Sequence, residues 1–252
     1  MHKPRIAVQL YSVRHELEKD FFGTLKTISE LGYEGVEFFG PYIRPDLISK
    51  GMSDTGLKVA GWHTPIENLL PGVIESTILY NRTISNYALI VPSLKKEYTA
   101  SRTGCLEAAD ILDTASPKLA EYGMYTGYHC HASDFVPFDE QGDTAWDIIA
   151  EATKVCIDLQ MDTGNCMQGG ADPIALMRKY PNRYRTIHVK PYSKEKGFAT
   201  MIGKDDVDWQ TLKEICETEK INWLIVEYED VDIYTPLEGI RLCLWALKGM
   251  GF

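Results

Sequence analysis

The chain has 252 residues, of which 44% are hydrophobic and 25% charged, an ordinary composition for a globular protein that buries a large core. Its formal net charge is −10, and its lysines and arginines form no basic stripe, so we expect no nucleic-acid partner. No apolar run approaches the length of a membrane span, which argues against a membrane partner as well.

The cysteines and the N-terminus predict a cytoplasmic protein. None of the six cysteines has C-x-x-C spacing or a zinc-finger pattern, which favours free thiols in a reducing compartment. The first residues lead into a strand-like segment without an apolar stretch or cleavage site, so we expect no signal peptide.

Short apolar runs rich in β-branched and aromatic residues recur along the whole chain. Their length and their content of Val, Ile, Tyr and Phe are typical of buried strands. The predicted strands cover residues 6–11, 35–39, 57–62, 87–91, 125–129, 156–161, 185–189 and 224–227.

Amphipathic stretches between these runs predict helices. Phe21, Leu25 and Ile28 recur at the spacing of one helix face, and Gly32 is a typical helix-ending residue. Later helices are predicted at 45–50, 71–83, 103–121, 146–151, 173–179, from 209 onwards, and at 236–248. Within the stretch 103–121, we expect Pro117 to kink or restart the helix.

This alternation of eight strands and helices predicts an α/β fold with parallel strands and helical crossovers. Eight units in a chain of this length favour a closed TIM (β/α)8 barrel, and we expect one domain over residues 1–252. No G-x-G-x-x-G motif follows a predicted strand, which argues against a dinucleotide-binding sheet.

Polar residues cluster where the predicted strands end, which is where TIM barrels carry their active sites. Four of the six histidines are among them. The set consists of Gln9, Tyr11, Glu37, His63, His129, His131, Asp162, His188, Lys190, Glu227 and Glu229. Mixed imidazole and carboxylate ligands suit Mn²⁺, Zn²⁺, Co²⁺ or Fe²⁺ better than Ca²⁺, so the cluster predicts a divalent metal site.

Several residues of this rim are candidates for binding a substrate: Gln9, Tyr11, Glu37, Trp62 and His63. Glu37 either binds sugar hydroxyls or is a solvated strand end. Trp62 either stacks on a sugar ring or belongs to the core. Lys190 follows His188 by two residues, so both side chains should point to the same side of the strand.

Motifs at these positions carry a resemblance to a known family. They are VQLYSVR at 8–14, LGYEGVE at 31–37, GYHCHASDF at 127–135, DTGN at 162–165, IHVK at 187–190 and IVE at 225–227. In this order they resemble the xylose isomerase-like TIM barrel proteins, the sugar phosphate isomerase/epimerase superfamily, over the whole chain. The stretch 127–135 is similar to the family's G-Y-H-N-H-x-x-E-F, with Cys130 and Asp134 as departures.

The resemblance implies a metal held by one residue from each of strands five to eight. Carried over to this chain, the ligands are His129, Asp162, His188 and Glu227. The sugar epimerases of the superfamily have a glutamate at the strand-five position, whereas this chain has His129. His131 is the alternative ligand if strand five ends later than predicted.

The resemblance further implies a metal-dependent isomerase or epimerase that acts on a sugar, a keto-sugar, a sugar phosphate or a cyclitol. The cation would stabilise an enediolate formed by removing a proton next to a carbonyl, with Glu227 as base and His131 or Lys190 as acid. Because the epimerases use two glutamates and this chain keeps one, a lyase or dehydratase on the same substrates is the alternative. The exact substrate, the metal (Mn, Zn, Co, Fe or Mg) and a homo-oligomeric state stay open.

Two other functions have less support. An endonuclease of the abasic-site type would need a basic face, which the net charge of −10 disfavours. A non-enzymatic sugar-binding barrel would have no need for the intact set of Asp162, His188 and Glu227.

Overall fold

The computed structural model describes residues 2–140, 142–230 and 232–252. Eight parallel strands close into a barrel in the order β1 to β8, which confirms the predicted TIM (β/α)8 fold. The strands are β1 Arg5–Gln9, β2 Gly35–Phe39, β3 Lys58–His63, β4 Ala88–Val91, β5 Tyr125–His129, β6 Asp158–Asp162, β7 Thr186–Val189 and β8 Trp223–Val226.

Helices surround the barrel and connect the strands. They are α1 Arg14–Lys19, α2 Phe21–Leu31, α3 Pro45–Thr55, α4 Ile74–Thr83, α5 Lys96–Thr99, α6 Arg102–Ala120, α7 Ala145–Ala152, α8 Thr163–Gln168, α9 Pro173–Lys179, α10 Trp209–Glu219 and α11 Pro236–Gly249. Short 3-10 turns occupy Leu10–Val13, Ile66–Leu69 and Ala132–Phe135. No helix within the described ranges is both long enough and apolar enough to cross a membrane.

The predicted strand bounds agree with the structure to within two residues. Gly32 ends α2 with a φ of 95°, as its position predicts. The helix does not restart at Pro117, so that part of the prediction is wrong: α6 runs past the proline to Ala120. The proline lies in the last turn, so the one helix hydrogen bond that it removes leaves the earlier turns intact.

The two faces of each strand have different surroundings. Side chains such as Val8, Leu89 and Leu159 point towards the helices and form the main hydrophobic core. Inside the barrel, a small apolar cluster closes the end where the strands begin, around Trp223 and Ile225. Above it the barrel interior is polar, and this polar interior leads to the end where the strands finish, called here the mouth.

Gly127 allows β5 and β6 to approach closely. A Cβ atom at this position would lie 2.3 Å from the backbone oxygen of Asp158, so the backbone would have to move. We therefore expect Gly127→Ala to lower the free energy of unfolding by about 1–3 kcal/mol, the usual effect of overpacking. Denaturant unfolding would measure it, with Gly249→Ala as the control, because that position is open and should change stability little. Equal stability of the two variants would contradict this view of the β5–β6 contact.

Candidate metal centre

The barrel brings four predicted ligands together at its mouth. His129 and Asp162 are the last residues of β5 and β6, His188 lies in β7, and Glu227 follows β8 directly. Asp162 and His188 are register partners across the β6–β7 pair. Since parallel strands of a barrel end at one face, residues far apart in sequence converge here.

One donor atom from each of His129, Asp162, His188 and Glu227 lies within 4.8 Å of the other three. His188 Nδ1 is 2.7 Å from Glu227 Oε2 and 3.9 Å from Asp162 Oδ2. All four residues are buried. One ring nitrogen from each of three imidazoles also lies within 4.8 Å of the other two; these are His63, His129 and His188.

One carboxylate oxygen in this cluster lacks a partner. Asp162 Oδ1 accepts a hydrogen bond from the backbone N–H of Asn165 at 2.7 Å, which caps the start of α8. Asp162 Oδ2 is buried and has no hydrogen bond to any of the described residues. Since an unsatisfied buried carboxylate oxygen is costly, its position beside two imidazoles and a second carboxylate fits a bound divalent cation.

Charges around the cluster perturb its titration. Burial raises the pKa of Asp162 to about 7, against the opposing effect of the Lys190 ammonium. Burial alone would lower the pKa of His188, but the carboxylates of Glu37 and Glu227 outweigh it and raise this pKa to about 10. Burial also lowers the pKa of His129 well below its ordinary value, so this imidazole is neutral. The cluster therefore combines carboxylates with a neutral imidazole, a donor set that a divalent cation can use.

Lys190 lies directly beside the ligands. Its Nζ is 3.0 Å from Glu227 Oε1 and 2.6 Å from Glu229 Oε2, and it faces the ring of Phe198 at 4.6 Å. Burial would lower its pKa, but the carboxylates of Glu227, Asp162 and Glu229 raise it above its ordinary value. Lys190 is therefore protonated and places a positive charge beside the ligands. It points to the same side of β7 as His188, as its spacing predicts.

His131 lies two residues beyond the end of β5, which ends at His129 as predicted. Its ring is 5.1 Å from the ring of His129, centroid to centroid, and its backbone N–H donates to Asp134 Oδ2 at 2.8 Å. Its imidazole is outside the four-donor group but faces the cavity above it. It therefore lines the cavity without belonging to the four-donor group.

A cavity of about 310 Å³ opens above the ligands. It is lined by Gln9, Tyr11, Phe39, Gly40, His63, Pro92, Ser93, His129, His131, Glu227 and Glu229. Three of the predicted substrate-binding residues, Gln9, Tyr11 and His63, are in this lining. Phe39 was not among the predicted residues, although it is the last residue of β2 and its ring packs edge-on against Tyr11 at 5.2 Å.

The structure places the other two predicted substrate-binding residues away from this lining. Trp62 is buried between the barrel and the helices, where its ring stacks on Phe38 at 4.9 Å and its Nε1 donates to Gly40 O at 3.0 Å. It belongs to the core, which was the alternative for this residue. Since side chains alternate along a strand, His63 faces the interior and Trp62 does not.

Glu37 is fully buried below the ligands rather than exposed at the mouth. Its Oε2 is 2.8 Å from Gln9 Nε2 and 2.6 Å from His188 Nε2, and its Oε1 accepts from Gln160 Nε2 at 2.9 Å. Protein donors thus occupy both oxygens. In this position the carboxylate accepts from Nε2 and orients the His188 ring so that Nδ1 faces Glu227 and Asp162 in the ligand cluster.

Gln160 and Asp158 are two further polar residues of the barrel interior that were not predicted. Both point into the barrel from β6, where Gln160 is the register partner of His129. The signal in the sequence is the alternation of Asp158, Gln160 and Asp162, polar residues at every second position of a strand that is otherwise apolar.

Comparisons with known proteins agree with this architecture. The curated relatives include an inosose dehydratase from Clostridium perfringens, 26% identical over an alignment of 166 positions that covers 58% of this chain and 55% of that protein. They also include the rhizopine catabolism protein MocC from Rhizobium meliloti, 24% identical over 81% of this chain and 73% of that protein. The match therefore spans about half the length of the inosose dehydratase.

Among solved structures, a sugar phosphate isomerase/epimerase from Parabacteroides distasonis superposes with a TM-score of 0.83 at 21% identity, covering 99% of both chains. The probable 3-DHS dehydratase AsbF from Bacillus anthracis gives a TM-score of 0.71 at 14% identity, covering 97% of this chain and 98% of that one. At these identities the superpositions show a shared fold. A family model described as xylose isomerase-like TIM barrel matches residues 25–243. The chain therefore belongs to the xylose isomerase-like TIM barrel family.

Proposed function

We propose that this protein is a divalent-metal-dependent enzyme that acts on a keto-sugar or a cyclitol ketone and removes a proton from the carbon next to the carbonyl. The observation that carries the proposal is the buried four-donor cluster, with its unpartnered Asp162 oxygen, at the floor of an open cavity. The cavity of about 310 Å³ is of the size that a small polyhydroxy ketone needs.

His129, Asp162, His188 and Glu227 would hold the cation. When bound, a divalent cation supplies Lewis-acid stabilisation of negative charge that develops on a substrate oxygen. The metal can be Mn, Zn, Co, Fe or Mg, all of which accept imidazole or carboxylate ligands.

The remaining chemistry belongs to side chains on the β7 and β8 side of the cavity. Glu227 would be the base for the substrate proton. The Lys190 ammonium and His188 outweigh the effect of burial and hold the pKa of Glu227 well below its ordinary value, so its carboxylate is ionised. Lys190, held between Glu227 and Glu229, can donate a proton to a departing hydroxyl or to a substrate oxygen. His131 is the second candidate acid, because it lines the cavity.

Loss of water from the ketone is the outcome that these residues favour. Epimerisation with two carboxylates needs one on each face of the substrate, whereas the β5 side of this site carries the imidazoles of His129 and His131. Glu227 as base and Lys190 as acid lie on the same side of the cavity. This arrangement suits β-elimination, in which one group removes the proton and another protonates the leaving hydroxyl. The similarity to proteins named inosose dehydratase supports the same outcome.

A sugar isomerase or epimerase is the second candidate. The fold neighbours include a sugar phosphate isomerase/epimerase and an L-ribulose 3-epimerase. Proton removal next to a carbonyl is the first step of either reaction, so the product distinguishes the two.

The test is a screen of inosose, ketopentoses and ketohexoses, each with the protein loaded with Mn²⁺, Co²⁺, Zn²⁺, Fe²⁺ or Mg²⁺. Proton NMR of the products would show loss of water as a new deoxy-ketone or unsaturated product. Conversion to an isomeric sugar would establish the second candidate instead. Turnover that is undiminished after complete metal removal would overturn the proposed metal dependence.

His129 should matter more for metal binding than His131. His129 belongs to the four-donor group, whereas His131 only faces the cavity. We therefore expect His129→Ala to weaken Mn²⁺ binding by at least tenfold and His131→Ala to change it by less than about threefold. Isothermal titration of the two variants gives the comparison. A larger loss in His131→Ala would move the strand-five ligand by two residues.

A further inference from the structure

The Gln160 side chain lies at the centre of the barrel, directly below the proposed metal ligands. It is fully buried, and its amide makes four hydrogen bonds. Its Oε1 is 2.8 Å from His63 Nε2 and 3.0 Å from His129 Nδ1. Its Nε2 is 2.9 Å from Glu37 Oε1 and 2.9 Å from Thr186 Oγ1.

The partners on one side determine the orientation of this amide. The Thr186 hydroxyl donates its single proton to Asp158 Oδ2 at 2.7 Å, so its oxygen must accept from Gln160. As a carboxylate, Glu37 can only accept. Two acceptors therefore face the NH₂ group of Gln160. The reverse orientation would place the carbonyl oxygen of the amide against a buried carboxylate, which is electrostatically unfavourable.

With the amide in this orientation, its carbonyl oxygen faces the two imidazoles, and each of them must donate a proton. His129 then carries its proton on Nδ1, which leaves the Nε2 lone pair free for a cation. Glu37 orients the ring of His188, where it accepts from Nε2 at 2.6 Å and turns Nδ1 towards Glu227 in the cluster.

We propose that Gln160 is a positioning residue that holds His129 as the Nδ1–H tautomer, so that Nε2 is ready to bind a divalent cation before the cation arrives. The chain of donation runs from His129 through Gln160 and Thr186 to the carboxylate of Asp158, which accepts the last hydrogen bond and so sets the direction of the others. The role rests on the proposed function, because a cation in the four-donor cluster is the group that it serves.

The first test reads the tautomer directly, in the metal-free wild-type protein. Long-range ¹H–¹⁵N NMR with ¹⁵N-labelled histidine separates protonated from bare ring nitrogens, and His129→Gln assigns the signals. The expected spectrum of His129 has a protonated Nδ1 and a bare Nε2. A proton on Nε2 with a bare Nδ1 would overturn the proposal.

The second test measures Mn²⁺ affinity by isothermal titration. Gln160→Met keeps a similar volume but removes both hydrogen-bonding groups, and we expect it to weaken binding by about 10–100-fold, the usual effect of losing a partner behind a metal ligand. Thr186→Val is the second variant if Gln160→Met does not fold. It leaves Gln160 in place but removes the acceptor that orients the amide, so a smaller loss is expected.

Thr126→Val is the matched control, because Thr126 is equally buried and bonds to Leu89 O at 2.7 Å, away from this network. It should bind Mn²⁺ like the wild type. If the folded variants at positions 160 and 186 also bind like the wild type, the role of Gln160 is wrong and the proposed function stands. A wild-type protein that binds no divalent cation would overturn the proposed function, and this role with it.

Discussion

Asp162→Ala should lose nearly all bound metal while keeping its fold. The substitution removes both the carboxylate oxygen that caps α8 and the unpartnered oxygen in the four-donor cluster. Loss of a direct ligand should cost more than loss of an outer-shell partner, so we expect Mn²⁺ affinity to fall by at least about 100-fold. Elemental analysis and titration give the metal content, and circular dichroism reports the fold.

His188→Ala and Glu227→Ala should behave in the same way, since both residues contribute to the cluster. Asp134→Asn is the matched control. Asp134 is a buried carboxylate at the same mouth, but its hydrogen bond goes to the backbone of His131 rather than into the cluster. If all three ligand variants keep the metal content of the wild type, the site lies elsewhere.

Glu227→Gln should lower turnover by about 10²–10⁴-fold, the usual contribution of a general base, and by more if metal binding also weakens. The amide keeps the shape of the side chain but cannot accept the substrate proton. Glu227 is the carboxylate that joins the ligand cluster to Lys190, which places it between the metal ligands and the proposed acid. Turnover of a responsive keto-sugar or cyclitol ketone, followed by NMR in D₂O, measures the effect.

The wild type should also place deuterium in its product, at the deoxy carbon of a dehydrated ketone or, in an isomeric sugar, at the carbon that received the solvent proton, and the variant should do so correspondingly more slowly. Glu229→Gln is the control, because it removes a second carboxylate from Lys190 without touching the four donors. We expect it to reduce turnover less than Glu227→Gln. An isomerised product that retains all of its hydrogen would indicate a hydride shift and exclude Glu227 as the base.

The barrel was predictable because its signals are local. Each strand is a short apolar run, each connection contains a helical pattern, and residues that follow a strand must lie at one end of the barrel. This reasoning alone brings His129, Asp162, His188 and Glu227 to the same face. The family resemblance adds which of the polar residues are the ligands.

Other features depend on depth within the barrel, which the sequence does not encode directly. Glu37 lies at a strand position like that of an exposed rim residue, yet the structure buries it under three donors from other strands. Strand one ends earlier than predicted because the Gln9 side chain accepts the N–H of Tyr11 and turns the chain into the segment Leu10–Val13. Neither feature has a periodicity that the sequence could reveal.

Trp62 illustrates a related difficulty. An aromatic residue beside a rim histidine suits either a sugar-stacking surface or the core. The outcome depends on the phase of the strand, since one step along β3 separates the cavity from the helix layer. His63 has the inward phase and Trp62 the outward phase, and only tertiary structure settles which is which.

The most direct test of the metal site is anomalous diffraction from crystals of the protein grown or soaked with Mn²⁺ or Co²⁺. We expect one strong anomalous peak at the barrel mouth, within coordination distance of His129, Asp162, His188 and Glu227. It would be contradicted by the absence of a peak between these side chains in crystals that hold the metal elsewhere.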